Sequence, residues 1–161
     1  SGAFRAIAWN TAPRRIENEN GVQNADLAHR WDSYFVPFTE AFAAVLPQGR
    51  LVQLHGFAAG KRKTAEAAGA YIIVSAGSHW PTSPALAVSS CLQSGFPANA
   101  RLFPRDVSEL GGTRNQQGRL LRGLGHNGFV HLELSDSMRD ALRAEAGLSE
   151  HLCACLQGAG V

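Results

Sequence analysis

Long apolar runs are missing from this chain. No segment of its 161 residues approaches the roughly eighteen consecutive apolar residues of a membrane-spanning helix. The first residues, SGAFRAIAWN, also lack the charged start and apolar stretch of a secretory signal. A soluble chain with no membrane partner is the expectation, its compartment left open. Strong charge of one sign is missing too. Fifteen Lys and Arg against 13 Asp and Glu leave a formal +2, which is no basic footprint for nucleic acid. The basic cluster GKRKT, Gly60 to Thr64, is short, has no interleaved aromatics, and reads as a solvated loop or helix start. Cysteine is scarce. Cys91, Cys153 and Cys155 are an odd set that cannot all pair within one chain. Cys153 and Cys155 fall two apart on a predicted helix, where side chains point well apart. Cys91 reads as a buried, inert helix residue.

The chain carries no internal repeat and no low-complexity segment. Its length suits one domain with a sizeable core, a single α/β domain over 1–161 or the C-terminal part of a longer one. FRAIAWN, Phe4 to Asn10, reads as a short strand, and RRIENENGVQN as the loop after it. Apolar residues from Leu27 to Val45 recur at helical spacing, with Pro37 kinking or restarting the helix near Val36. RLVQLH begins a strand, and Lys61 to Ala68 makes one or two helical turns. AYIIVSAG is the clearest strand, β-branched and bounded by glycine. SPALAVSSCLQSGF reads as a helix with Ser83 as N-cap, Pro84 first inside it and Gly95 just past its end. NARLFP is a short strand, and VSELGGTRNQQGRLLRGLG mostly loop with a helical turn. GFVHLELS is the last strand, and one helix opened by Ser137 with Asp140 follows it. Alternating strands and helices predict a mostly parallel sheet covered on both faces, with ligands at the carboxyl ends of its strands.

Two polar residues stand at such ends. His55 closes the apolar run RLVQLH, and Gly56 after it lets the backbone turn or a ligand approach. In GFVHLELS, alternation puts Phe129, His131 and Glu133 on one face. A carboxylate there needs a partner, water or a function; its structural alternative is a salt bridge to Arg139 or Arg143. An imidazole and a carboxylate suit a zinc ion beside a general base. A catalytic zinc takes three protein ligands, and His55 is one. The other candidates are His29 and Asp32, three apart on a predicted helix face, and His79 after a strand. His126 and His151 read as exposed. GFAAGKRKT is no phosphate loop, because its glycines are one residue too close and Arg62 stands where a hydroxyl should be. Ser75 lacks the glycine pattern of a nucleophile elbow.

The ordered segments FRAIAWNTAPR, RLVQLHGFA, YIIVSAGSHWPTSPALAVSSCLQSGF, LGGTRNQQGR and GFVHLELSDSMRDAL resemble the later part of the N-formylglutamate amidohydrolases. They also resemble the poly-γ-glutamate hydrolases and, more distantly, the zinc carboxypeptidases. The resemblance implies a three-layer hydrolase-like sandwich with a mostly parallel sheet. It further implies zinc bound by His55, Glu133 as catalytic base, and substrate contacts from Asn10, Arg114, Asn115 and Arg119; an arginine fork suits a carboxylate. In the family an earlier strand supplies a His and a Glu or Asp as the first two ligands, and the present segments start after it. The expectation is that those ligands come from a segment outside this sequence, a second chain or a homo-oligomer, or that the site is incomplete. An unpaired sheet edge, which proteins usually cover, goes with the same expectation.

The resulting reading is a zinc-dependent hydrolase of an amide next to a carboxylate, acting on a small N-acyl, γ-glutamyl or peptide substrate. Its rivals are a non-catalytic α/β binding or interaction module with an incomplete metal site, and a metal-free small-molecule binder.

Overall fold

Every residue from Phe129 to Ser135 is buried, and the rest of the chain is arranged around that strand. The computed structural model describes residues 4, 6–11, 15–19, 21–96 and 99–158. Its strands are β1 (Arg15–Asn18), β2 (Gly21–Asn24), β3 (Leu51–Phe57), β4 (Ile72–Ser75), β5 (Ala100–Leu102) and β6 (Phe129–Ser135). Its helices are α1 (Phe35–Val45), α2 (Ala65–Ala68), α3 (Ser83–Gly95), α4 (Gln116–Gly123), α5 (Asp136–Ala144) and α6 (Ala146–Gly158). Single 3₁₀ turns lie at Leu27–His29 and Ala59–Lys61. Among the described residues no helix is long and apolar enough to cross a membrane.

The main sheet has the order β3-β6-β4-β5. β3 runs parallel to β6 and β4 parallel to β5, whereas β4 and β6 are antiparallel. The α/β class therefore holds, with a mixed and mostly parallel sheet. The central strands β4 and β6 are buried throughout, which explains their near-continuous apolar sequences. β3, paired only with β6 among the described residues, is half-buried, and its Leu54 is exposed.

Registers sort the side chains onto two faces. Val52, Ile72, Val74, Val130, Leu132 and Leu134 point to a core covered by α3, α5 and α6 through Val88, Leu92, Met138, Leu152 and Leu156. The opposite face holds Gln53 beside His131 and Ser75, and His55 beside Glu133 and Ile73. α4 closes on this second face, where Gly118 leaves room for the Phe129 ring; a Cβ there would stand 2.6 Å from it.

Several local expectations are corrected. Phe4 to Asn10 forms no strand among its described residues; its apolar side chains Ile7 and Trp9 lie exposed, so no sheet partner rewards extension. The segment read as a loop instead forms the β1–β2 hairpin. Its sequence carried the Asn-Gly turn signal, and Gly21 takes φ +89°. The helical pattern from Leu27 gives a 3₁₀ turn and then α1, which starts at Phe35, beside the restart near Val36 expected from Pro37; only the stretch before it is not one helix. The segment 116–123, expected to be mostly loop, is the helix α4, with Leu121 fully buried. Tertiary burial outweighs its weak local signal. α3 starts one residue earlier than expected, with Thr82 rather than Ser83 at its N-cap position and no side-chain capping bond, and it includes Gly95. The last helix is two, with a break at Glu145; the first is capped by Ser135, whose hydroxyl accepts from the Met138 amide at 3.1 Å.

Cys91 is not an inert thiol. It joins Cys155 in a disulfide that ties α3 to α6, while Cys153 is exposed with a free thiol. This agrees with the odd count and with the divergence of side chains two apart on a helix. His126 is not exposed either. It is buried, its Nε2 donating to the Leu46 carbonyl at 3.0 Å and its Nδ1 accepting from the Gly128 amide at 3.1 Å. His151 is half-buried against the Phe96 ring.

Candidate metal centre

His55 and Glu133 occupy the fifth positions of β3 and β6 and are register partners. Because the two strands are parallel, both side chains emerge on one face, toward the strands' carboxyl ends. His131, two residues before Glu133, shares that face by simple alternation. The possible ligand atoms of His55, His131 and Glu133 all lie within 4.8 Å of one another, an arrangement able to hold a metal ion.

His131 is the deepest of the three, 1% exposed. Its surroundings assign its protons. The Ser75 hydroxyl donates to the Gly111 carbonyl at 2.7 Å and accepts the Gly77 amide at 3.0 Å. It can then only accept from His131 Nδ1, 3.5 Å away. Nδ1 is thus the N–H side, and Nε2 carries the lone pair. Burial, then the imidazoles of His55 and His29, push the His131 pKa down from 6.5 to about 3, so the ring is neutral at physiological pH. Its Nε2 is buried with no hydrogen-bond partner among the described residues, and stands 3.5 Å from Glu133 Oε1. With a neutral ring this contact is no salt bridge. A lone pair and a carboxylate oxygen facing each other in a buried place are complementary to a cation.

The loop before α4 holds this arrangement from above. Gly112 has φ +59°, and a Cβ there would come within 2.8 Å of the His131 ring. Leu110 also adopts a left-handed φ of 62° without being glycine, a conformation costing about 1–2 kcal/mol. Backbone strain beside a polar cluster is typical of functional loops. His55 and Glu133 line a cavity of about 1400 Å³ that runs along β3, while His131 lies beneath them.

The remaining candidates divide. Arg114, which is exposed, and Asn10 line the same cavity; Asn10 donates to the Ala25 carbonyl at 3.3 Å. Asn115 lines it too but is buried, and its amide donates to Gln53 Oε1 at 2.7 Å, with Gln53 donating on to Gln117 at 2.9 Å. Arg119 is exposed and is not part of the cavity wall. His29 lines the cavity but does not pair with Asp32. It bonds Asp26 at 2.8 Å, whereas Asp32 forms an exposed pair with Arg30; the break after the 3₁₀ turn removes the expected shared helix face. His79 is exposed against Phe103, outside this cavity. The arginines weighed as partners of Glu133 are engaged elsewhere, Arg139 on the Leu134 carbonyl at 2.8 Å and Arg143 on Asp140 at 2.9 Å.

Sequence reasoning placed His131 on the face of Glu133 but did not nominate it as a ligand. The two-residue spacing was the available signal. Ser75, His131 and Glu133 also resemble a hydrolytic triad in sequence of contact, but Ser75 is fully buried and its proton is spent on Gly111, so it is no nucleophile. The basic cluster is a helix start. Thr64 caps α2, accepting from the Ala67 amide, and Arg62 pairs with Glu109 at 3.5 Å. No protein-family model, curated protein or solved structure matches the chain.

Proposed function

We propose that the chain is a zinc-dependent hydrolase of an amide bond next to a carboxylate, built on a three-layer hydrolase-like sandwich. The observation that carries this reading is the buried, partnerless Nε2 of His131 aimed at the carboxylate of Glu133 beside His55. Two imidazoles and one carboxylate are a ligand set used by catalytic zinc, which keeps a position for water or substrate. Zinc ligands at about 2.0–2.2 Å in tetrahedral geometry stand roughly 3.3 Å apart, close to the 3.5 Å between His131 and Glu133. The spacing of this pair suits the ion, and the ligand atom of His55 lies within 4.8 Å of both. Zinc, when bound, polarises an amide carbonyl and acidifies water.

In this proposal His55, His131 and Glu133 hold the ion. The family resemblance assigns Glu133 the role of base; its distance from His131 supports giving it to the metal. The cavity beside the cluster has room for a substrate, and Arg114 on its wall can pair with the substrate's carboxylate.

Elemental analysis of the purified protein tests the reading, followed by hydrolysis assays on N-acyl and γ-glutamyl amino acids. About one zinc per chain is expected, falling severalfold in His55→Ala and in His131→Ala. Glu133→Gln separates the two roles of the carboxylate, because a ligand variant loses zinc and a base variant keeps zinc while losing turnover. A protein that takes up no zinc leaves the non-catalytic binding module as the better account.

A further inference from the structure

We propose that His29, held by the carboxylate of Asp26, is the proton-transfer residue of this site. The inference rests on the hydrolase reading above and names a catalytic group that neither the family resemblance nor the metal cluster supplies.

Leu27–His29 is a single 3₁₀ turn, too short to hold its shape alone. Side chains from outside clamp it. The Ser33 hydroxyl shares its one proton between the Leu27 carbonyl at 3.2 Å and the Arg30 carbonyl at 3.1 Å. Gln116, the first residue of α4, donates to the His29 carbonyl at 3.3 Å. The turn is therefore fixed to the helix that follows the Gly111–Gly112 loop, and that loop packs on His131.

Within the turn, Asp26 Oδ2 lies 2.8 Å from His29 Nδ1, with side-chain exposures of 10% for the aspartate and 34% for the histidine. The shielded carboxylate accepts a hydrogen bond from Nδ1–H, so Nε2 is the basic nitrogen of the neutral ring. A carboxylate behind an imidazole fixes its tautomer and stabilises the protonated ring formed during transfer. Both residues line the cavity that His55 and Glu133 line.

Elimination points the same way. The ionisable side chains on the cavity wall, among the described residues, are Asp26, His29, Arg50, His55, Arg114 and Glu133. His55 and Glu133 are taken by the metal cluster, Asp26 is hydrogen-bonded to His29, and the arginines stay protonated. His29 remains. The charged groups that bear on it are Asp26 and Arg30 from its own segment, the latter paired with Asp32. On the same cavity wall stand Arg50, His55 and Glu133 from the sheet side and Arg114 from the loop before α4, with the neutral His131 beneath.

The step balances with water as the only co-reactant. His29 Nε2 takes a proton from water as the water oxygen bonds to the amide carbonyl carbon. The C–N bond then breaks, its electron pair leaving with nitrogen, and the proton passes from His29 to that nitrogen. An acid and an amine result.

The test uses the zinc-loaded full chain. In imidazole ¹⁵N NMR, neutral His29 is expected as the Nδ1–H tautomer, and Asp26→Asn is expected to lose that preference. His29→Gln is expected to keep its zinc and to lose about 100-fold in kcat with little change in KM. The acidic limb of the wild-type pH profile should coincide with the His29 midpoint read by NMR and vanish in the variant. An Nε2–H tautomer, zinc loss in His29→Gln, or an unchanged kcat and acidic limb would each overturn the proposal. A wild-type protein that binds zinc yet turns over no amide would sink the hydrolase reading itself, and this inference with it.

Discussion

His55 and Glu133 face one another across the β3–β6 ladder, each the register partner of the other. Parallel pairing puts both side chains on the same face at the same height, and alternation adds His131 one step below. Three polar groups thus converge without any loop having to carry them. Sites on strands are held more tightly than sites on loops, and here the loop residue Gly112 only seals the cluster from above.

Acid should destabilise the protein, kept free of metal, through His131. Its folded pKa is depressed, to about 3 from 6.5, so below pH 6.5 the unfolded chain binds a proton that the folded chain refuses. Stability from this group is complete above 6.5 and is lost as pH falls toward 3, by at most about 1.4 kcal/mol per pH unit. Urea unfolding across this window should show a shallower pH slope in His131→Asn than in the parent. Equal slopes would mean that the ring is not held neutral.

Gly112→Ala should damage the site from the loop. The new Cβ meets the His131 ring at 2.8 Å and sits at φ +59°, and a ring this deeply buried has nowhere to move. A loss of about 1–3 kcal/mol in stability is expected, with weaker zinc uptake. Gly60→Ala, where nothing lies within 4 Å, serves as the control and should stay within about 0.5 kcal/mol of the parent.

Arg114 and Arg119 were indistinguishable by motif, but only Arg114 borders the cavity. Arg114→Ala should raise KM for a carboxylate-bearing substrate by about 10-fold or more, as expected for a charged hydrogen bond of roughly 1.5–3 kcal/mol. Arg119→Ala should leave KM within about twofold. Equal effects of the two variants would remove Arg114 from the substrate site.

Reduction should loosen the α3–α6 face. The Cys91–Cys155 bridge closes a loop of sequence separation 64, for which chain entropy alone gives about 4 kcal/mol. A lower urea midpoint is expected under reducing conditions, and in Cys91→Ser without reductant. Peptide mapping should recover Cys153 as the alkylatable thiol. An identical midpoint with and without reductant would show that the bridge contributes nothing.

Much of the framework was legible along the chain. β3, β4, β6 and α3 announce themselves by apolar alternation, β-branched runs and a capped, proline-started helix, all properties of neighbouring residues. The hairpin β1–β2 was legible too, through its Asn-Gly pair, but the polar composition around it was read as a loop. α4 was not, since the burial of Leu121, the room Gly118 leaves for Phe129 and the bonds of Gln116 and Gln117 to distant segments make that polar stretch worth ordering.

What the sequence by itself determined is which side chains share a face. Once Phe129–Ser135 is a strand, His131 and Glu133 must point the same way, and His55 must stand near the end of its own strand. Tertiary structure alone decided the partners. The choice of β6 as the neighbour of β3, in a register that sets His55 beside Glu133, brings the three groups together. The pairing of Cys91 with Cys155 and the turn of His29 toward Asp26 rather than Asp32 were settled in the same way. Periodicity is a local property of the backbone, whereas strand order and register depend on which surfaces bury each other, and no window of neighbouring residues contains that information.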